Sequence, residues 1–433
     1  MTKQLTSRWH RLFFATIVIG IVAGFGGMFL ALLLHFLQHL AYEHTVFPII
    51  ENERFLDVVS GSSSSRRVIT LLLCGLIAGW GWWAVFRYGR PLVSIANAIK
   101  SPRPYMPIKT TIAHVLLQII TVALGSPMGR EVAPRELGAT FACWLTNKMK
   151  LRPKESQVLV ACAAGAGLAA VYNVPFGGAL FTLEVLLGTF RWFAVIPAIT
   201  TSAIAVVISW IGLGNQSLYH IPVLILDSSI VIWAILAGPI FGFSAYWFKE
   251  ITNRAQSRAP RNWKIIISCL FNFFIIGLLA IYFPEILGNG RSAAQLGFDG
   301  NMLGLGIAAV VLILRLLIVC TSIQAGAAGG ILTPSLANGA LMAVILGILW
   351  SHLWPGISIS AFAVVGGAAF LAAAQKMPIT AIVLVIEFTG INFSFFIPML
   401  LAVAGAISMF NYCTTRRLSK TSKDNIPLSH IRN

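Results

Sequence analysis

Residues 125–139 read Gly-Ser-Pro-Met-Gly-Arg-Glu-Val-Ala-Pro-Arg-Glu-Leu-Gly-Ala, and residues 329–334 read Gly-Gly-Ile-Leu-Thr-Pro. Each is a glycine-and-proline break set inside apolar sequence, and the two belong to an internal duplication. Gly89-Arg90 stands 40 residues before Gly129, and Gly290-Arg291 stands 40 residues before Gly330. Downstream, Pro175 and Glu184 in NVPFGGALFTLEVL are 9 residues apart, as are Pro378 and Glu387 in KMPITAIVLVIEFT. Hydrophobic segments interrupted by Gly and Pro at matching positions of two halves point to a transporter whose midplane site is made from broken helices.

The 433 residues are 57% hydrophobic and 10% charged, whereas charged residues make up about a quarter of an ordinary globular chain. That composition excludes a soluble domain. The ~10-residue alternating segments of a β-barrel are missing, so the expected class is an all-α polytopic membrane protein. Apolar stretches recur from residue 12 to residue 411. Several are shorter than the ~20 residues that cross the hydrocarbon core. Some helices should therefore stop at mid-depth, where loose backbone is buried in protein or lines a cavity. The expected organisation is a single membrane domain over 1–433, with one repeat at about 12–212 and an inverted one at about 229–411. The basic tail 412–433 is too short for a regulatory domain.

The net charge of +17 does not mark a nucleic-acid partner. Basic residues collect at helix ends and in polar segments: Lys3, Arg8 and Arg11; Lys148, Lys150, Arg152 and Lys154; Arg254, Arg258, Arg261 and Lys264; Arg416, Arg417, Lys420 and Lys423. This positive-inside pattern puts both termini in the cytoplasm of a cell (inner) membrane, with anionic-lipid contact as a secondary effect. The loop at about 42–65, with Glu43, Glu51, Glu53 and Asp57, is expected outside, although Arg66 and Arg67 fit that rule badly. Six cysteines lie singly with no CxxC or CxxH spacing. They read as packed thiols rather than a disulfide frame or metal site, and no cofactor is implied.

With only 14 acidic residues, one inside the membrane needs a reason. Gly125, Gly129 and Pro134 break one helix and start another around Glu131. The new helix would aim its unpaired N–H groups and positive dipole end into the protein, which suits an anion, free or tethered. Glu131 can thus compete with a permeating anion, and protonation would release it. The plainer alternative is a Glu131 ion-paired with Arg130 or Arg135. The 329–334 turn repeats the architecture, with Thr333 adding a hydroxyl, unless its glycines serve only close packing. Glu184 and Glu387 either cap backbone N–H groups or lie on a proton route; their symmetry favours capping. Arg315 is a lone buried cation that one of these acids would partner. His35, His39 and His114 read as packing residues. An enzyme would need a nucleophile or metal cluster beside the acid, and no HxxxD, HExxH or GxSxG pattern accompanies it.

Over roughly 15–412 these residues resemble the CLC family of anion channels and proton-coupled antiporters. Gly129-Arg130-Glu131 with Pro134 is similar to the glycine-arginine-glutamate-glycine-proline signature, which makes Glu131 the gating, proton-coupling glutamate. Gly330-Ile331-Leu332-Thr333-Pro334 is similar to the glycine-x-phenylalanine-x-proline signature. The resemblance implies a homodimer of about eighteen helices per subunit, with anions bound at helix ends: Gly129, Arg130, Val132 and Ala133 from one half, Gly330, Ile331, Leu332 and Thr333 from the other. Tyr412 would stand in for the pore tyrosine. There are departures. Gly89-Arg90-Pro91-Leu92-Val93 replaces glycine-serine-glycine-isoleucine-proline, so the chloride-contacting serine gives way to Arg90. Val132 and Ala133 together separate glutamate from proline, and the internal proton-transfer glutamate aligns with Val185. These changes resemble the fluoride/proton antiporter branch. The function they imply is fluoride export coupled to protons, the alternative being a chloride channel or chloride/proton antiporter.

Overall fold

The computed structural model describes residues 2–43, 55–300 and 304–424. Among these, the first half folds as α1 (Thr2–Tyr42), α2 (Phe55–Gly61), α3 (Ser64–Tyr88), α4 (Ile95–Lys100), α5 (Ile108–Ala123), α6 (Val132–Lys148), α7 (Pro153–Tyr172), α8 (Pro175–Leu180, continued by a π-helical turn Phe181–Leu187) and α9 (Trp192–Leu213). The second half follows as α10 (Ser228–Arg258), α11 (Lys264–Tyr282), α12 (Arg291–Asp299), α13 (Leu305–Ala325), α14 (Leu332–Ser351), α15 (Ile359–Gln375), α16 (Pro378–Thr389) and α17 (Phe396–Asp424). Glu51, Glu53, residues 425–433 and the side chains of Lys3, Arg8, Lys420 and Lys423 lie outside the described residues.

The duplication is written into the backbone. Helix ends adopt left-handed conformations in matched pairs: Gly125 and Gly326 (φ 102° and 103°), Asn173 and Lys376 (57° and 55°), Gly188 and Gly390 (60° and 63°). Asn and Gly tolerate that region; Lys376 is held there because the second half repeats the turn after α7.

Nine helices are long and apolar enough to cross a bilayer among the described residues, while α5, α8 with its π turn, α15 and α16 are apolar but shorter. Each of these is shorter than the ~20 residues of a straight crossing. In α7 and α15, runs of Ala and Gly are almost wholly buried, since small side chains let neighbouring backbones approach. Gly75 and Gly79 of α3 likewise face the α11 backbone at Leu270 and Ile266, where a Cβ would not fit. Outer helices expose Phe13, Phe29, Trp80, Trp192 and Phe271, the surface a lipid environment selects. One boundary differs from expectation. The helix does not end at 412 but runs to Asp424, because neither Gly nor Pro occurs between Gly405 and Pro427.

Candidate functional site

The two sequence breaks meet in space. The Gly129 N–H donates to the Gly330 carbonyl at 2.7 Å, and the Gly330 N–H returns a bond to Gly129 at 2.8 Å. This antiparallel bridge sets the N-termini of α6 and α14 against each other at the centre of the molecule. A Cβ at either position would fall on the Glu131 side chain, which would have to move.

Glu131 is the N-cap residue of α6 but does not cap its own helix. Its fully buried carboxylate crosses to the other half. Oε1 accepts the Leu332 N–H at 2.7 Å. Oε2 lies 3.3 Å from the Thr333 hydroxyl and 3.3 Å from the Tyr172 hydroxyl, and these two hydroxyls are 3.0 Å apart. A carboxylate at a helix N-terminus is stabilised by the free N–H groups and the dipole; here the helix is α14. Neither Arg130 nor Arg135 forms an ion pair with Glu131, so the ion-paired alternative does not hold.

Of the residues singled out from the sequence, Gly129, Gly330, Glu131, Leu332 and Thr333 come together. Ile331 is the N-cap position of α14, and its carbonyl accepts from Ser335 and Gln375. Val132 and Ala133 form the first turn of α6 without a hydrogen bond to the carboxylate; the donors come from the opposite helix instead. Arg130 turns away, its guanidinium 5.2 Å over the Tyr172 ring. Tyr412 requires a correction. It lies on the outer face of α17 with 58% of its surface exposed, because the uninterrupted helix carries it past the site. The tyrosine at the centre is Tyr172, fully enclosed and edge-on to Phe388. It is the last residue of α7, just before left-handed Asn173, a placement the Asn173–Pro175 break could have signalled.

Beside Tyr172 lies a cavity of about 360 Å³ lined also by Arg130, Arg291, His35, His220 and Asp57, among others. It adjoins the end of α7 remote from the basic 148–154 segment. Its arginines favour entry of anions. Arg291 also donates to the Leu218 carbonyl at 2.9 Å. His35, read as packing, thus faces this vestibule, while His39 pairs with Glu43 at 2.5 Å and His114 with Glu136 at 2.9 Å. Among the described residues Arg315 has no acidic partner; it donates to the Ile286 carbonyl at 2.8 Å. Arg90 is exposed and donates to Tyr105, away from Glu131.

Glu184 and Glu387 cap each other's helices. Glu184 accepts the Ile379 and Thr380 N–H groups of α16 at 3.0 and 2.7 Å. Glu387 accepts the Phe176 and Gly177 N–H groups of α8 at 2.9 and 2.7 Å. Hydrogen bonds to a charged group contribute about 1.5–3 kcal/mol each, so this exchange fastens α8 to antiparallel α16. Their symmetry is that of a structural clasp.

Residues 71–411 match the family model described as voltage gated chloride channel. The chain is 29% identical to the voltage-gated ClC-type chloride channel ClcB of Citrobacter koseri, over 88% of this chain and 91% of that one. Its fold is similar to that of a slow cyanobacterial Cl−/H+ antiporter, with a TM-score of 0.80 and 19% identity over 96% of this chain and 99% of the other. It is also similar to a CLC-type fluoride/proton antiporter, with a TM-score of 0.68 and 23% identity over 94% and 96%. A match spanning most of the length, joined to two breaks that meet around a buried glutamate, leaves one assignment: the chain belongs to the voltage gated chloride channel (CLC) family.

Proposed function

We propose that the chain is a proton-coupled halide antiporter in which Glu131 alternates with the anion at the N-terminus of α14, and that fluoride is preferred over chloride. One observation carries this reading: the Glu131 carboxylate rests on one N–H and two hydroxyl donors, a set that would serve a free anion equally well. Deprotonated, Glu131 fills the place. Protonated, it loses its charge, its Oε2–H becomes a donor, and the place opens. Fluoride is small and a strong acceptor, so its hydration must be replaced by several close donors. Thr333 and Tyr172 supply hydroxyls 3.0 Å apart beside the Leu332 N–H. The second reading, chloride, is favoured by the chloride-handling names of the relatives. The same proposal makes the chain a transporter rather than an enzyme, in the cell (inner) membrane with cytoplasmic termini.

Flux from proteoliposomes under matched gradients, read with fluoride and chloride electrodes, tests the preference. Fluoride is expected to leave faster; chloride moving at least as fast as fluoride would overturn it. Thr333→Val should slow fluoride flux roughly tenfold or more, the equivalent of one hydrogen bond to a charged acceptor. Unchanged flux and preference would make Thr333 a packing residue.

We also propose a homodimer with one pore per subunit. The α8–α16 clasp is flanked by exposed Phe176 and Ile379, with Trp192 and Ile196 of α9 and Ile397 of α17 exposed nearby. Single-molecule subunit counting in liposomes is expected to return pairs; a monomer that still transports would remove the dimer.

A further inference from the structure

One face of α5 is polar. Thr111, His114, Gln118 and Thr121 fall within about 80° of one another around the helix, and all four are buried. Polar and ionisable side chains are costly in a membrane helix, and chains of them mark ion or proton routes. This stripe meets Glu136 of α6. Glu136 Oε2 lies 2.9 Å from His114 Nδ1 and 3.1 Å from Gln118 Nε2, and the two nitrogens are 2.9 Å apart. At that distance Nδ1 and Oε2 share a proton, since two bare acceptors would repel. Gln118 Oε1 and Thr111 Oγ1 are buried without a protein partner, and such atoms hold water in protein interiors.

The position gives the shared proton a role. Near the end of α6, Asn147 donates to the Pro104 carbonyl just ahead of α5 at 2.9 Å; the other ends of the two helices meet at the 124–131 break. Glu136 lies five residues beyond Glu131, about 7.5 Å along the helix, toward Lys148. The Glu131 and Glu136 carboxylates both act on Arg135, so a change of charge at one is felt at the other. At the far end of the stripe Thr110 accepts the Arg90 N–H at 3.0 Å, and Arg90 donates to exposed Tyr105. The stripe thus leads from the surface beside Arg90 to the break that carries Glu131. Coupled exchange needs protons to reach Glu131 from both faces, and the vestibule serves one.

We propose that the His114–Glu136 pair is the proton-holding station for the face opposite the vestibule, charged along the Thr111–His114–Gln118 stripe and discharged to Glu131. Empty, it is a neutral imidazole beside a carboxylate; full, an imidazolium beside a carboxylate. Loading from water forms one N–H bond. Discharge breaks an N–H bond and forms the Glu131 O–H, and no other atom changes. This rests on the proton-coupled reading and names the groups that feed its gate. The readout is the ratio of proton to halide movement in proteoliposomes, from a pH electrode and a fluoride or chloride electrode. Glu136→Gln and His114→Gln are each expected to lower that ratio at least tenfold, and Glu136→Asp, which keeps the acid, should restore part of it. A merely structural pair would slow both fluxes together or lower thermal stability, with the ratio unmoved. A wild-type ratio in both Gln variants overturns the station. Should neither fold, Thr111→Val decides: it removes one buried hydroxyl at nearly constant volume and is expected to lower the ratio about threefold, and an unchanged ratio overturns the route. Wild-type protein that moves halide without protons would sink the coupled reading itself. Wild-type coupling with unaltered variants would sink only the His114–Glu136 station.

Discussion

Glu131→Gln is expected to abolish proton movement coupled to halide flux, lowering the proton-to-halide ratio by roughly two orders of magnitude. General acid–base groups contribute on that scale when they carry the proton themselves. Glutamine fills the same space. Its carbonyl can accept the Leu332 N–H, now 2.7 Å from Oε1, and its amide can donate to the Thr333 and Tyr172 oxygens. The fold should therefore persist with the gate fixed in its neutral state. Halide flux then either continues uncoupled or stops because the carboxylate can no longer return. A pH electrode on proteoliposomes under a halide gradient distinguishes this from the bland role. Uphill proton movement by the Gln variant at the wild-type ratio would reduce Glu131 to a cap for α14.

The second large effect should come from a single methyl group. In Gly330→Ala the added Cβ falls on the Glu131 carboxylate, in a fully enclosed place where neither backbone bridge nor helix start can yield easily. Overpacking of this kind typically costs roughly 1–3 kcal/mol. The side chain most able to move is Glu131 itself. The variant is thus expected to lose proton coupling as completely as Glu131→Gln, with thermal unfolding in detergent lowered by a few degrees. Gly304→Ala and Gly306→Ala are the matched controls, since a Cβ at either meets nothing nearby. Normal coupling in Gly330→Ala would show that the carboxylate does not need the place described for it.

Much of this was legible in the chain. The duplicated breaks announced where helices stop, because Gly and Pro act on the backbone locally and leave a mark in sequence. The glutamate at the first break was visible for the same reason, as was Thr333 at the second. Which donors Glu131 would use was not. Its own helix start at Val132 and Ala133 was the nearer candidate, and only the Gly129–Gly330 bridge brings Leu332 closer. Tyr172 was hidden because an aromatic residue in an apolar run looks like core or lipid-facing surface until its hydroxyl has neighbours. Tyr412 misled because a short stretch near a chain end carries no sign of which way its helix faces. Arg315 misled in another way: an isolated buried cation suggests an acid, whereas backbone carbonyls of the 284–288 turn serve it.

The crossed pairing of the halves bears on how the chain is made. Glu131 finds its donor in Leu332, 201 residues later, and the N–H groups at the start of α8 wait for Glu387, 210 residues after Gly177. At about 5–20 residues per second, the first half leaves the ribosome roughly 10–40 s before the groups that complete it. During that interval its broken helices enter the bilayer with a bare carboxylate and open helix ends. The finished pore is therefore a late product of biogenesis, closed only when the second half arrives. Truncation before α16 would leave the N–H groups at the start of α8 and the Glu184 carboxylate without the partners they have in the finished protein.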